Sequence, residues 1–359
     1  MSTTAGYDLI EQAPLDSRNT LRVCARAPWL LRVRDASLLP EALALPPLAG
    51  MPLLTLGSGS NVLFAADPEA VVLCLETDRI AILDTAGAED EDGHSALVYA
   101  DAGVQWHALV LWSLRQGLHG LENLALIPGT VGAAPIQNIG AYGVELAEFV
   151  HRVHAIDLDR GTPTVLSARD CAFAYRDSVF KHHPDRYLVT GVEFRLPVSP
   201  RLRLDYAGLR EALSAAGAPD GTPTSMDVAE AVIRIRQRKL PDPALVGNAG
   251  SFFKNPVVAA ALAATLRDSY PGLPVFEAGS HGDNRKLSAA WMIEHCGWKG
   301  FREGDAGIAD THALVLVNHG HASGAQLLDL AHRVADSVQL RFGVALEPEP
   351  RIIGAAWPT

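Results

Sequence analysis

Between Ile127 and Gly143 the chain reads Ile-Pro-Gly-Thr-Val-Gly-Ala-Ala-Pro-Ile-Gln-Asn-Ile-Gly-Ala-Tyr-Gly, with four glycines, three alanines and two prolines in seventeen residues. No helical or strand period runs through it, and Pro128 and Pro135 deny a helix or ladder their backbone N–H. An irregular passage this long needs a neighbour or a ligand to order it. So little bulk leaves room for a large, flat molecule against the main chain, and Gln137 and Asn138 add amide donors and acceptors. Turn amides also commonly bond nearby backbone, so a purely local role stands beside the ligand reading.

Around this passage the chain alternates between periods. Short apolar runs bounded by Gly, Pro or Asp predict strands over 52–56, 70–75, 97–100, 150–158 and 187–196. Trp106 to Gln116 has helical spacing, and Val228, Ala231, Val232 and Ile235 form a helical stripe ending in Arg236, Arg238 and Lys239. A further helix is predicted from about Gln326 to Leu340, with Leu327, Leu330, Ala331, Val334 and Val338 on its core face. Mixed elements of this kind predict an α+β protein, and 359 residues are enough for two or three lobes with a cleft. Leu240-Pro-Asp-Pro243 cannot continue a helix or join a central strand, which places a lobe change there.

Charge and composition remove several classes of function. A formal charge of −11, with no long basic run, argues against a nucleic-acid binder. Cys24, Cys74, Cys171 and Cys296 lie far apart without a C-x-x-C pair, as expected of reduced thiols in a cytoplasmic protein. No stretch approaches the roughly 18 apolar residues that span a bilayer, and the N-terminus lacks a signal-peptide pattern. His319-x-His321 lacks a third ligand, so no metal is expected.

Four further segments carry candidate chemistry. Gly57-Ser58-Gly59-Ser60-Asn61 follows a predicted strand and is built either as a tight turn or as a grip on an anionic oxygen. Val62 replaces the third glycine of a dinucleotide fingerprint, and no G-K-[ST] follows any glycine loop. Arg176, within Ala-Tyr175-Arg-Asp-Ser, is a candidate carboxylate clamp or half of a surface ion pair with Asp177. Ser251 is not in a nucleophile elbow, because Phe253 stands where that motif has glycine; it is left as a turn cap or a general acid. In Glu347-Pro348-Glu349 the proline forces extended backbone and aims the two carboxylates differently.

Taken in order, these motifs resemble the UDP-N-acetylenolpyruvoylglucosamine reductase family. The resemblance runs from Asn19-Thr20 to about Gly354. It rests on Gly-Ser-Gly-Ser-Asn-Val-Leu at 57–63, the segment 120–129, Pro-Ile-Gln-Asn-Ile-Gly-Ala-Tyr-Gly at 135–143 and Tyr-Arg-Asp-Ser at 175–178. Downstream it adds Lys-Leu-Pro-Asp-Pro at 239–243, Gly-Asn-Ala-Gly-Ser-Phe-Phe-Lys-Asn-Pro at 247–256, Lys-Leu-Ser-Ala-Ala-Trp at 286–291 and Leu-Glu-Pro-Glu at 346–349.

The resemblance implies a two-lobed FAD-binding domain of the vanillyl-alcohol-oxidase type over 15–198, its lobes meeting near 78. A connecting segment at 199–240, an α+β substrate-binding domain at 241–341 and a return to the FAD lobe at 342–355 complete it. It implies FAD as cofactor, NADPH as co-substrate and a UDP-sugar as substrate, in a cytoplasmic monomer. Gly57, Ser58, Gly59, Ser60 and Asn61 would then grip the diphosphate. Pro128, Gly129, Thr130, Gly132, Ala133, Gln137, Asn138, Gly140, Ala141, Tyr142 and Gly143 would wall the rest of the cofactor. Tyr175, Tyr206, Lys239 and Asn255 would hold the substrate, Arg176 and Glu349 would stabilise an enolate, and Ser251 would protonate it. A flavin-dependent oxidase of the same superfamily and a UDP-sugar-binding regulator are the competing readings.

Overall fold

The computed structural model describes residues 2–4, 6–84, 94–215, 223–277 and 283–358. The chain forms two compact units. The first comprises Met1–Ala13, Ala27–Ser58 and Glu69–Gln237; the second comprises Pro14–Arg26, Gly59–Pro68 and Arg238–Thr359.

In the first unit a five-stranded sheet runs in the order Ser2–Thr4, Tyr7–Pro14, Arg26–Val33, Val71–Leu75, Leu53–Thr55. Val71–Leu75 is flanked by parallel partners on both sides and is buried at every position. That is why it reads as an unbroken apolar run instead of an alternating one. Leu39, Ala42 and Leu48, from the short helical connection, pack onto Leu31, Val33 and Leu73.

A second five-stranded sheet, antiparallel throughout, has the order Thr162–Ser167, Val150–Asp157, Tyr187–Pro197, Ser95–Asp101, Ile80–Asp84. Its strands alternate: Ala96, Val98 and Ala100 are buried, while Leu97, Tyr99 and Asp101 are only half-buried. The helix Trp106–Arg115 covers the buried face, its Trp106 ring edge-on to Phe194 at 6.1 Å. The helix Ser225–Lys239 adds the expected stripe of Val228, Ala231, Val232 and Ile235 to that core.

The second unit holds a four-stranded sheet in the order Gly247–Ser251, Val315–Asn318, Ala306–Ile308, Arg302–Glu303. A three-stranded sheet of Val257–Ala259, Asn284–Leu287 and Val275–Glu277 accompanies it. The helix Gly324–Phe342 begins in a Ser323/Gln326 capping box and stops at Gly343, whose φ is +68°. Val62–Phe64 and Arg351–Ile353 pair in parallel, tying an early segment to the end of the chain.

All four cysteines are free thiols; Cys171 is buried, which pushes its pKa up to about 12. No helix among the described residues is long and apolar enough to cross a membrane.

Candidate active site

The glycine-rich passage of the first unit lies flush on the segment Ala102–Gln105. Val131 N–H donates to Val104 O at 2.9 Å, and Gly132 N–H donates to Ala102 O at 2.9 Å. A Cβ on Gly132 would sit 2.6 Å from the Ala102 methyl, and one on Gly57 would sit 2.7 Å from Thr130 Oγ1. The absence of side chains at 57 and 132 is therefore demanded by the protein's own packing. Ser58 Oγ donates to Gln105 Oε1 at 3.2 Å, and Gln105 bridges Thr130, so the two glycine segments meet in one patch. Gly129, Ala133, Gln137, Gly140 and Ala141 are half-buried, and Pro128 and Gly143 are exposed. Small residues with accessible main chain suit a flat cofactor with an anionic tail.

Asn138 is fully buried, with φ +45°. Its amide donates to Glu145 Oε2 at 2.8 Å and to Ala174 O at 3.1 Å, while its Oδ1 accepts from Ala147 N–H at 2.9 Å. The side chain thus holds the loop together, and its own backbone N–H donates to Pro135 O at 3.2 Å, so Asn138 shapes the passage from within. Asn138→Ala is expected to lower stability by about 2 kcal/mol, since it removes three hydrogen bonds made by a fully buried side chain. Denaturant titration checks this, and parent-like stability would mean that water replaces the amide.

Arg176 occupies the turn Ala174–Asp177, closed by reciprocal backbone bonds at 3.1 Å, with φ +54°. A non-glycine residue held there is strained, and such strain gathers at functional sites. Its guanidinium donates to Gly140 O at 2.8 Å and lies 5.3 Å from the Tyr175 ring centre. Ser178 Oγ donates to Ile136 O at 2.6 Å, so the Arg176 turn is stitched to the glycine passage.

Tyr206 is 44% exposed, and its ring meets Tyr142 edge-on at 4.8 Å. Near Tyr142, Arg236 donates to Leu126 O at 3.2 Å, and burial holds its guanidinium below the usual range. No role for Arg236 follows from sequence alone, although the signal exists: a cation in the last turn of an otherwise apolar stripe.

In the second unit, Ser251 and Glu349 lie on paired segments. Glu349 N–H donates to Phe252 O at 2.8 Å, Phe253 bridges Pro348, and Lys254 N–H donates to Glu347 O at 2.9 Å. Asn61 joins the same assembly, its amide donating to Glu349 O at 3.2 Å and its carbonyl accepting from Arg351 N–H at 3.0 Å. The two carboxylates are distinguished as the intervening proline implies: Glu347 is exposed and paired with Lys254 at 2.7 Å, whereas Glu349 is half-buried. Ser251 is half-buried beside the buried rings of Phe252 and Phe253. Asn255 Oδ1 accepts from Ala289 N–H at 2.9 Å, and Lys239 is exposed. Gly59 and Ser60 stand just before the strand Val62–Phe64, with Gly59 buried against the 18–20 segment.

Residues 242–353 match the family described as UDP-N-acetylenolpyruvoylglucosamine reductase, C-terminal domain, and residues 28–167 match an FAD binding domain. The chain is 58% identical over 352 residues to the UDP-N-acetylenolpyruvoylglucosamine reductase of Xanthomonas axonopodis pv. citri, covering 98% of each. It is also 58% identical over 356 residues to that of Xanthomonas oryzae pv. oryzae, covering 99% of each. Among solved structures it is similar to UDP-N-acetylenolpyruvylglucosamine reductase from Thermus caldophilus, with 25% identity, a TM-score of 0.64 and coverage of 97% and 98%.

Proposed function

Since the chain belongs to the UDP-N-acetylenolpyruvoylglucosamine reductase family, we propose that it reduces UDP-N-acetylglucosamine enolpyruvate to UDP-N-acetylmuramate for peptidoglycan synthesis, with FAD as cofactor and NADPH as reductant. The fold is α+β, an FAD-binding domain followed by the reductase C-terminal domain. The protein acts on a small molecule and works as a cytoplasmic monomer.

FAD supplies, when bound, two-electron chemistry: hydride in from NADPH and hydride out to the vinyl C3 of the substrate. The chain's residues handle the rest. Backbone at Gly57–Asn61 and along 128–143 receives the cofactor, the glycines letting N–H groups reach anionic oxygens. Negative charge then develops on C2 and its carboxylate. Arg176 and Glu349 orient and stabilise that enolate, an electrostatic task favoured where water is excluded. Ser251 gives its Oγ proton to C2. Lys239, Asn255, Tyr175 and Tyr206 bind the UDP-sugar, with the lysine ammonium as a diphosphate partner.

The observation that carries this reading is the backbone bond from Glu349 to Phe252, which sets a half-buried carboxyl beside the Ser251 segment. Anaerobic NADPH should bleach the yellow FAD-loaded protein, and UDP-N-acetylglucosamine enolpyruvate should then restore the colour. Bleached protein that regains colour only with oxygen would point to an oxidase instead.

A further inference from the structure

The four-stranded sheet of the second unit is irregular at the residue to which proton donation is assigned. Asn248 pairs with Val317, but Ser251 pairs with Val315, so three steps along one strand face two along the other. An extra residue of this kind bends a strand and re-aims the side chain that follows. Gly250 absorbs the bend at φ +70°. Its N–H, without a partner residue across the ladder, donates to Asn248 Oδ1 at 3.0 Å.

Asn248 is 2% exposed and fully engaged. Its amide hydrogens go to Pro241 O at 3.0 Å and Val246 O at 2.9 Å, and its backbone N–H goes to Thr20 O at 2.9 Å. Thr20 N–H in turn donates to Gly59 O at 3.0 Å. One buried amide therefore fixes the irregular segment from three directions, and none of these bonds is needed to continue the sheet.

We infer that Asn248 is a positioning residue for Ser251: by fixing Gly250 in its left-handed conformation it aims the Ser251 hydroxyl, while touching neither substrate nor cofactor itself. This rests on the proposed role of Ser251 as the acid. Misplacement of a reacting group by about 1 Å costs on the order of 10²-fold in rate, so the effect should fall on the step that uses the Ser251 proton and spare flavin reduction by NADPH.

The test uses FAD-loaded full-length protein and separates the half-reactions by stopped flow, with rates expressed per bound flavin. Asn248→Ala and Gly250→Ala are compared with Ser251→Ala. The second variant matters because a Cβ on Gly250 meets nothing within 4 Å, so it strains the same turn without a clash and decides the question if Asn248→Ala fails to fold. Both variants should slow substrate-driven reoxidation by about tenfold or more, with reduction by NADPH within about twofold of the parent. Parent-like reoxidation in both, with Ser251→Ala slowed, overturns the inference alone. Equal slowing of both half-reactions also overturns it, as a merely structural role would produce. Parent-like reoxidation in Ser251→Ala removes the acid assignment and the inference with it.

Discussion

Ser251→Ala is expected to leave reduction of the flavin by NADPH at the parent rate and to slow reoxidation by the enolpyruvyl substrate roughly 10²-fold or more. The reason lies in the division of labour. Hydride arrival at C3 can reverse until the enolate is quenched at C2, so a methyl group, which has no proton to give, holds up net reoxidation. The half-buried position of Ser251, beside the buried rings of Phe252 and Phe253, keeps bulk water from taking its place readily. A serine that only capped a turn would behave differently: the variant would melt earlier and reoxidise normally. Rapid-mixing spectroscopy on the two half-reactions separates these outcomes, and a reoxidation rate within twofold of the parent would sink the acid assignment.

Gly59→Ala is expected to destabilise the second unit by about 3 kcal/mol or more and to abolish FAD retention. Two penalties combine at this position. The backbone is left-handed, with φ +62°, and an added Cβ would overlap the carbonyl oxygen of Arg18 and lie 2.7 Å from Asn19 Cα. Backbone atoms cannot swing aside, and the neighbouring Thr20 N–H is already bonded to Gly59 O. Gly143→Ala is the control, since it shares a positive φ of +82° but meets nothing within 4 Å. It should cost only the conformational strain, about 1–2 kcal/mol. Thermal melting with flavin release as the readout tests the pair. Equal melting points for the two variants would show that the clash at Gly59 is relieved by movement of the 18–20 segment.

Regular elements were legible because their burial is periodic. The stripe Val228, Ala231, Val232, Ile235 faces the first unit's core, and the run at 71–75 is buried on both faces of a parallel strand. The glycine passage was legible as unusual, but its cause was only partly readable. Gly132 is small because Ala102 lies against it, a contact thirty residues away in the chain that no local pattern encodes. Asn138 offered a ligand-reading amide in sequence, yet three protein partners claim it. Asn248 gave no signal at all, since a buried amide that shapes an irregular strand looks like any asparagine in a turn. The joining of 14–26 and 59–68 to the C-terminal residues combines a three-residue parallel pairing of Val62–Phe64 with Arg351–Ile353 and hydrogen bonds between irregular segments, such as Thr20 with Gly59 and Asn248, and the latter carry no periodicity.

The ordered motifs from 57 to 349 could be placed on a family because each is short, dense in glycine, proline and polar residues, and spaced by chain whose composition is unremarkable. What they share physically is the need for a fixed main chain. Arg176 at φ +54°, Asn138 at +45° and Tyr142 at +52° are all non-glycine residues held in a costly conformation within or beside the same passage.

The central claim is that electrons from NADPH end on the enolpyruvyl carbon of a UDP-sugar. Stoichiometry under strict anaerobiosis tests it most directly, with the flavin-loaded enzyme, NADPH and UDP-N-acetylglucosamine enolpyruvate mixed and the product followed by mass spectrometry. The expected result is consumption of one NADPH for each UDP-N-acetylmuramate formed, a product heavier than the substrate by two hydrogens. NADPH oxidation that requires oxygen, yields peroxide and leaves the UDP-sugar unchanged would contradict it.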